Sequence, residues 1–325
     1  MSIEIYLEKM RQIQENLLNF IESEDDNLDQ RFQKIKQMLL DTQIQSNIYE
    51  FKSFLHLVNK ISNNHNRKIN FICKIEKILN LFKNEMQKYF TNTEIFNIFA
   101  FNKRVLLFLF NEKIIVVDYY FVKKIRTIKF INSEYKEYFS KEIKQFLKDN
   151  KIKTKYINEL KSFIETLPDV DDEKRQIGEN DNYICELIRN DSITDFIIYV
   201  NKNNISLESD IPISIYETNL LLREPATLIE YAAFFGSIQI FNYLKENKVE
   251  LTPSLWLYSI SSNNAEMIYL LEKNNVKFPY DSNYYFYEEE IEEEEVEDVK
   301  KCEKCFTQSI KCYHNDITKY FLNNY

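Results

Sequence analysis

The sequence predicts an all-α protein, a helical-repeat solenoid made of short amphipathic helices. Three observations predict it. Glycine occurs only twice in 325 residues, at Gly178 and Gly236, where average usage of about 7% would supply roughly twenty. Hairpin turns between strands need residues at positive φ, usually Gly, Asn or Asp, so a many-stranded sheet is disfavoured even though Asn is abundant. Apolar residues recur at three- and four-residue steps over most of the chain, the spacing of one helical face. Finally, residues 182–325 carry a pattern that repeats itself.

Taken in order, residues 1–167 read as an α-helical repeat or bundle half. Leu7, Met10, Ile13, Leu17 and Phe20 form a first stripe, ended by the acidic break at residues 22–27. Phe32, Ile35, Met38 and Leu39 make a second, and Phe51, Phe54, Leu55, Val58 and Ile61 a third. Residues 63–66 read as a turn. Ile69, Ile72, Ile75, Ile78, Leu79 and Phe82 follow on one face, with Lys and Glu on the solvated side. Thr91 and Glu94 hold the relation of a capping box, in which each side chain satisfies a free N–H at a helix start. The β-branched run Lys113–Val117 reads as a short strand by local propensity alone. Helical stripes resume over residues 135–147 and 156–167. The polar stretch 168–181 is then either a linker between domains or a surface loop within one continuous solenoid.

The repeat begins in earnest at Thr227, with two short helices broken at Gly236. Aligned on the copy that follows, Ile238, Ile240, Phe241, Tyr243 and Leu244 fall on Ala265, Met267, Ile268, Leu270 and Leu271. Aligned on the copy at the end of the chain, Ala232, Ile240, Tyr243 and Leu244 fall on Ser309, Ile317, Tyr320 and Phe321. A weaker copy spans residues 185–200. Each unit is a helix hairpin whose apolar face is too large to expose and too small to be a core, so neighbours must bury it. Small residues at Ala232 and Ala233 allow close approach, and Gly236 marks a helix end that needs positive φ.

On these residues the segment 182–325 resembles the ankyrin repeat. The family pattern Thr-Pro-Leu-His-x-Ala-Ala-x-x-Gly is matched by Thr227, Ile229, Ala232, Ala233 and Gly236, while Leu228 and Glu230 replace the proline and histidine. Asn263 and Tyr313 stand in the glycine place of later copies. The step from Gly236 to Asn263 is also shorter than the usual repeat of about 33 residues. The resemblance is to the degenerate Asn-, Ile-, Lys- and Phe-rich ankyrin proteins of unicellular eukaryotes. It implies a scaffold that binds other proteins through finger tips and inner helices, without catalysis or cofactor. Carried over, that surface comprises Arg223, Glu224, Ala226, Phe234 and Phe235 in one unit and Glu250, Leu251, Ser261 and Ser262 in the next. Phe234 and Phe235 are either exposed anchors for a partner or packed under a neighbouring helix.

Composition limits the alternatives. Two glycines write neither a dinucleotide-binding fingerprint nor a phosphate-binding loop. With three histidines and no recognisable catalytic set, an enzyme is not expected. The net charge of −9 comes entirely from nine acidic residues between Glu288 and Asp298, among them Glu292, Glu293 and Glu294; the rest of the chain carries equal numbers of acidic and basic residues. A neutral body lacks the basic stripe of a nucleic-acid binder. The acidic insertion is either a solvated loop or a docking patch for a basic partner. No apolar run approaches the length of a membrane span and the N-terminus lacks a secretion signal, so a cytoplasmic or nuclear protein is expected. Cys302, Cys305, Cys312 and His314 offer thiolate and imidazole ligands for zinc, in a spacing unlike the usual ones; the alternative is a set of free or structural thiols.

Overall fold

A computed structural model of the chain describes residues 3–23, 27–65, 71–127, 133–149, 167–223, 225–279 and 302–325. The described residues form nineteen α-helices and one short 3-10 turn; they contain no strand, only an isolated antiparallel bridge between Asp210 and Thr227. By internal contacts the chain divides into two units, Met1–Asn63 with Arg67–Glu179, and Asn64–Asn66 with Asn180–Tyr325.

The first unit holds α1 (Ile3–Glu22), α2 (Leu28–Asp41), α3 (Ile48–Asn64), α4 (Phe71–Leu81), α5 (Lys83–Tyr89), α6 (Asn92–Phe99), α7 (Lys103–Asn111), α8 (Tyr119–Thr127), α9 (Ser133–Tyr138), α10 (Ser140–Asp149) and α11 (Asp172–Ile177). The periodic stripes supply most of its core: Ile13, Leu17, Leu39, Phe51, Phe54, Ile61, Ile75, Ile78 and Phe82 are all buried, whereas Leu7, at the start of the first stripe, is exposed. Rings do much of the packing. Phe51 meets Phe54, Phe82 and Phe90, and Phe121 meets Phe96, Phe110 and Phe139. The Thr91–Glu94 capping box starts α6.

One expectation needs correction here. Residues Lys113–Val117 form no strand. Lys113 turns the chain at φ 55°, Ile114 and Ile115 drop into the core, and the Asn92 side chain takes both the N–H of Val116 (2.8 Å) and its carbonyl (2.8 Å). That amide does what a neighbouring strand would have done. Within the polar stretch 168–181, Asp171 caps the short α11 and Arg175 is buried, and the division between the two units falls at Glu179–Asn180. The stripe over residues 156–167 falls, except for Leu167, outside the described residues.

The described residues of the second unit form four helix hairpins. They are α12 (Tyr183–Arg189) with α13 (Ile193–Asn203), α14 (Leu228–Phe235) with α15 (Ile238–Glu246), α16 (Leu255–Ser262) with α17 (Ala265–Lys273), and α18 (Glu303–Lys311) with α19 (Asn315–Asn324). Each hairpin turns on one left-handed residue: Asp191 (φ 47°), Gly236 (69°), Asn263 (53°) and Tyr313 (60°). In three of them the next N–H reaches back five residues, from Ser192 to Leu187, Ser237 to Ala232 and His314 to Ser309. This bond closes the last turn of a helix that a left-handed residue has stopped. A second left-handed residue ends the second helix, at Asn204, Lys248 and Asn275.

First helices pack on first helices, α12 on α14, α14 on α16 and α16 on α18. Ala232 on α14 and Ile240 and Leu244 on α15 are wholly buried. Apolar burial of this kind stabilises by about 25 cal/mol per Å², and polar hooks set its register. Asp191 accepts from the N–H groups of Gln239 (3.0 Å) and Ile240 (2.9 Å), so one hairpin caps the second helix of the next. Ser237 donates to the Ile188 carbonyl, and Gln308 to Ser261 at 2.9 Å.

Candidate functional site

The surface inferred for partner contact is only partly a surface. Arg223 is half-buried and donates to the Thr218 carbonyl at 3.3 Å. Glu250 is exposed, on the connector between the second and third hairpins, and Leu251 is half-buried. Glu224, and the acidic residues Glu292, Glu293 and Glu294 with the whole 288–298 insertion, lie outside the described residues.

Four inferred contact residues are buried instead. Ala226 is fully buried, and Phe234 is 5% exposed. The reason is that α14 is enclosed: every residue from Leu228 to Phe234 is buried, so this inner helix presents no open face. Phe235 is half-buried, tilted against Tyr231 and edge-on to Phe234, with the Arg189 guanidinium 6.0 Å from its ring centroid. Ser261 and Ser262 are likewise buried, and their hydroxyls donate to the carbonyls of Leu257 and Ser259. Hydroxyls turned back on their own helix are packing groups.

Part of the enclosure comes from the connector between the first two hairpins, which composition did not reveal. Ile211 and Leu222 enter the core. Between them the Glu217 carboxylate is buried and accepts from the N–H groups of Asn180 (3.2 Å) and Asn219 (2.7 Å). Asn180 donates to the Pro212 carbonyl at 2.7 Å, and Arg189 bonds both the Asn180 carbonyl and the Tyr231 hydroxyl at 2.8 Å. Burial pushes the Tyr231 hydroxyl and the Cys185 thiol upward, the latter to about 12. The residue types involved, Asn, Glu and Arg, gave no periodic signal from which to find them.

The four zinc-ligand candidates do not converge. Cys302 immediately precedes α18 and Cys305 sits in its first turn, whereas Cys312 follows its last turn. Seven residues of helix separate Cys305 from Cys312 by about 10 Å, and Zn–S bonds measure roughly 2.3 Å. Among the described residues, no three His, Cys, Asp or Glu side chains are grouped to hold a metal ion. Cys312 lies near Ser261 and Gln308, and its thiol is pushed up to about 11, chiefly by burial. The neighbour of His314 is His65, whose ring centre is 5.2 Å away and whose Nδ1 lies 2.8 Å from the Cys312 carbonyl.

The first unit gathers its own buried charges. Arg175 donates to Glu142 (2.7 Å), to Asp172 and to the Tyr138 carbonyl (3.0 Å), while the Tyr138 hydroxyl returns a bond to the Arg175 carbonyl at 2.9 Å. Arg104 pairs with Glu76 and donates to the Gln176 carbonyl at 2.7 Å. Lys103, fully buried, pairs with Glu134 at 3.3 Å. Burial raises the Glu76 carboxyl despite Arg104 beside it. The cations are aimed at carboxylates and helix-end carbonyls, so the arrangement is a clamp holding α11. A groove of about 390 Å³ nearby is lined by Lys141, Lys144 and Lys148, of which Lys141 pairs with Asp172 and Lys144 with Asp169.

Compared with protein-family models, curated proteins and solved structures, the chain matches none. Among the described residues no helix is long and apolar enough to cross a membrane.

Proposed function

We propose that the chain is a protein-binding scaffold of the helical-repeat, ankyrin-like kind, acting without catalysis in the cytosol or nucleus. One observation carries the reading. The residues on which the resemblance rests occupy equivalent places in successive hairpins. Thr227 and Glu230 make a capping box at the start of α14. Ser254, the counterpart of Thr227 in the next copy, donates to the same Glu230 carboxylate. Gly236 and Asn263, counterparts at the same offset, both end their helices in the left-handed region. Hairpins that each link to the next support the reading of a repeat array, and such arrays present extended surfaces to partners.

The contact surface of this proposal lies on the connectors and the outer sides of the second helices, since α14 is enclosed. Exposed Glu250, half-buried Arg223 and exposed Tyr269 mark it. The test is capture of proteins from native extract by the immobilised full chain, beside Arg223→Glu and Glu250→Lys. Loss of a discrete partner by a variant whose far-ultraviolet circular dichroism is unchanged supports the reading. Capture of nothing beyond the bare matrix, or identical capture by all three proteins, overturns it.

A further inference from the structure

Cys302 and Cys305 are the two thiols for which the proposed scaffold has no use. Cys302 is the residue preceding α18, with φ −100° and ψ 7°, and Cys305 is the third residue of that helix. A three-residue spacing places both sulfurs on one face of the first turn. Both belong to the apolar cluster around Trp256 and Phe321, Cys305 without solvent exposure and Cys302 at 5%. Neither is in a disulfide. The matching places in the copy that holds Thr227 are Pro225 and Leu228, so a dithiol is not a demand of the hairpin.

The geometry points to a reversible oxidation site: Cys302 and Cys305 join in a disulfide when a peroxide reaches Cys302. Cys302 keeps 5% of its surface exposed and Cys305 none, so a small oxidant such as hydrogen peroxide meets Cys302 first. The order of events follows from position. Cys302 lies at the N-terminal end of α18, where the helix dipole stabilises negative charge that develops on its sulfur during attack. Burial pushes the Cys305 thiol up, which leaves it protonated and second to act. Cys302 sulfur attacks one peroxide oxygen, the O–O bond breaks, and hydroxide takes a proton to leave as water. The resulting Cys302 sulfenic acid then reacts with the Cys305 thiol: the S–S bond forms and the S–O bond breaks. The released hydroxyl leaves with the Cys305 proton as a second water. Two thiols are oxidised by two electrons in all, and one peroxide is reduced to two waters. Neighbouring side chains in a regular helix stand about 5–6 Å apart at Cβ, while a disulfide needs about 3.5–4.5 Å. Closure therefore draws in the first turn of α18, and the non-helical backbone of Cys302 provides the freedom for it.

The experiment uses the full chain with Cys73→Ser, which removes the exposed thiol and leaves the pair intact. After treatment with equimolar hydrogen peroxide, intact mass should fall by two hydrogens. Non-reducing peptide mapping should place the link between Cys302 and Cys305, and dithiothreitol should reverse it. Adding Cys305→Ser should leave Cys302 trapped as a sulfenic acid that dimedone labels, whereas adding Cys302→Ser should leave Cys305 unlabelled. Three results would overturn the proposal: an unmodified native chain that forms the link only in denaturant, a link to any other cysteine, or dimedone labelling of Cys305 in place of Cys302. The first comparison alters neither thiol of the pair, so it stands even where a double variant fails to fold.

Discussion

At Gly236 the backbone is left-handed and a Cβ would lie 2.8 Å from the Asn264 amide nitrogen. Gly236→Ala is therefore expected to cost about 1–2 kcal/mol from the backbone alone, seen as a lower urea midpoint. Asn263→Gly, at the equivalent left-handed place, should be neutral or stabilising; the opposite ranking would refute a shared turn geometry. Gly236 was legible in the sequence because few residues meet that conformation without strain. The packing of Phe234 was one of two readings the sequence left open, and the burial of Ser261 and Ser262 was hidden, because residue type does not say which sides of α14 and α16 are covered. The thiols make a second residue-level prediction. Burial raises Cys185 to about 12 and Cys312 to about 11, so iodoacetamide at neutral pH should alkylate exposed Cys73 and spare both until the chain unfolds. A thiol raised above its ordinary value of 9.0 contributes stability that is present below about pH 9 and lost as pH climbs through 11 and 12.

Among the elements, α11 has only six residues and depends on what it is tied to. Arg175 makes its ties to Tyr138, Glu142 and Asp172. Removing one partner of a buried ion pair strands the other, at a cost of about 3–5 kcal/mol. Arg175→Ala should lower thermal stability accordingly, while Lys148→Ala, an exposed residue of α10, should leave it unchanged. Acid should act on the same clamp. Hydrogen bonds from Lys141, then Arg175, hold the Asp172 carboxyl below its usual 3.8. Its contribution is present above that value and fades as pH falls further, so Asp172→Asn should flatten the pH dependence of stability below about pH 4. Equal pH slopes for the two proteins would show that the carboxylate contributes nothing. The element itself was hidden in a stretch whose composition reads as a linker, because its anchors Tyr138 and Glu142 lie far back in the sequence, on other helices. By contrast the stripes of α3 and α4 were plain, since each buries one continuous apolar face, whereas in α1 burial begins only at Ile13. The run Lys113–Val117 misled because local β propensity has no effect where an Asn side chain has already taken the backbone.

For the molecule as a whole, the all-helical architecture was legible because glycine scarcity and a three-to-four residue period exclude the alternatives together. The enclosing connector was not, since long-range polar contacts such as Glu217 with Asn180 leave no local period. What remains to be tested is whether the hairpins of the second unit behave as one cooperative row. Stacked repeats derive stability from their interfaces, so a defect in one hairpin is felt by its neighbours. Trp256 is the sole tryptophan and is 1% exposed, on α16. Ile240 and Leu244 are fully buried on α15, one hairpin earlier. Leu244→Ala should cost about 2–5 kcal/mol, and α14 is the element that passes the loss on, since it packs against both α15 and α16. The tryptophan fluorescence transition in urea should then move to lower denaturant by the same amount as the variant's loss of helical signal from this unit. A fluorescence midpoint left in place while Leu244→Ala loosens α15 would mean that the hairpins melt one at a time, and that the row of first helices does not couple them.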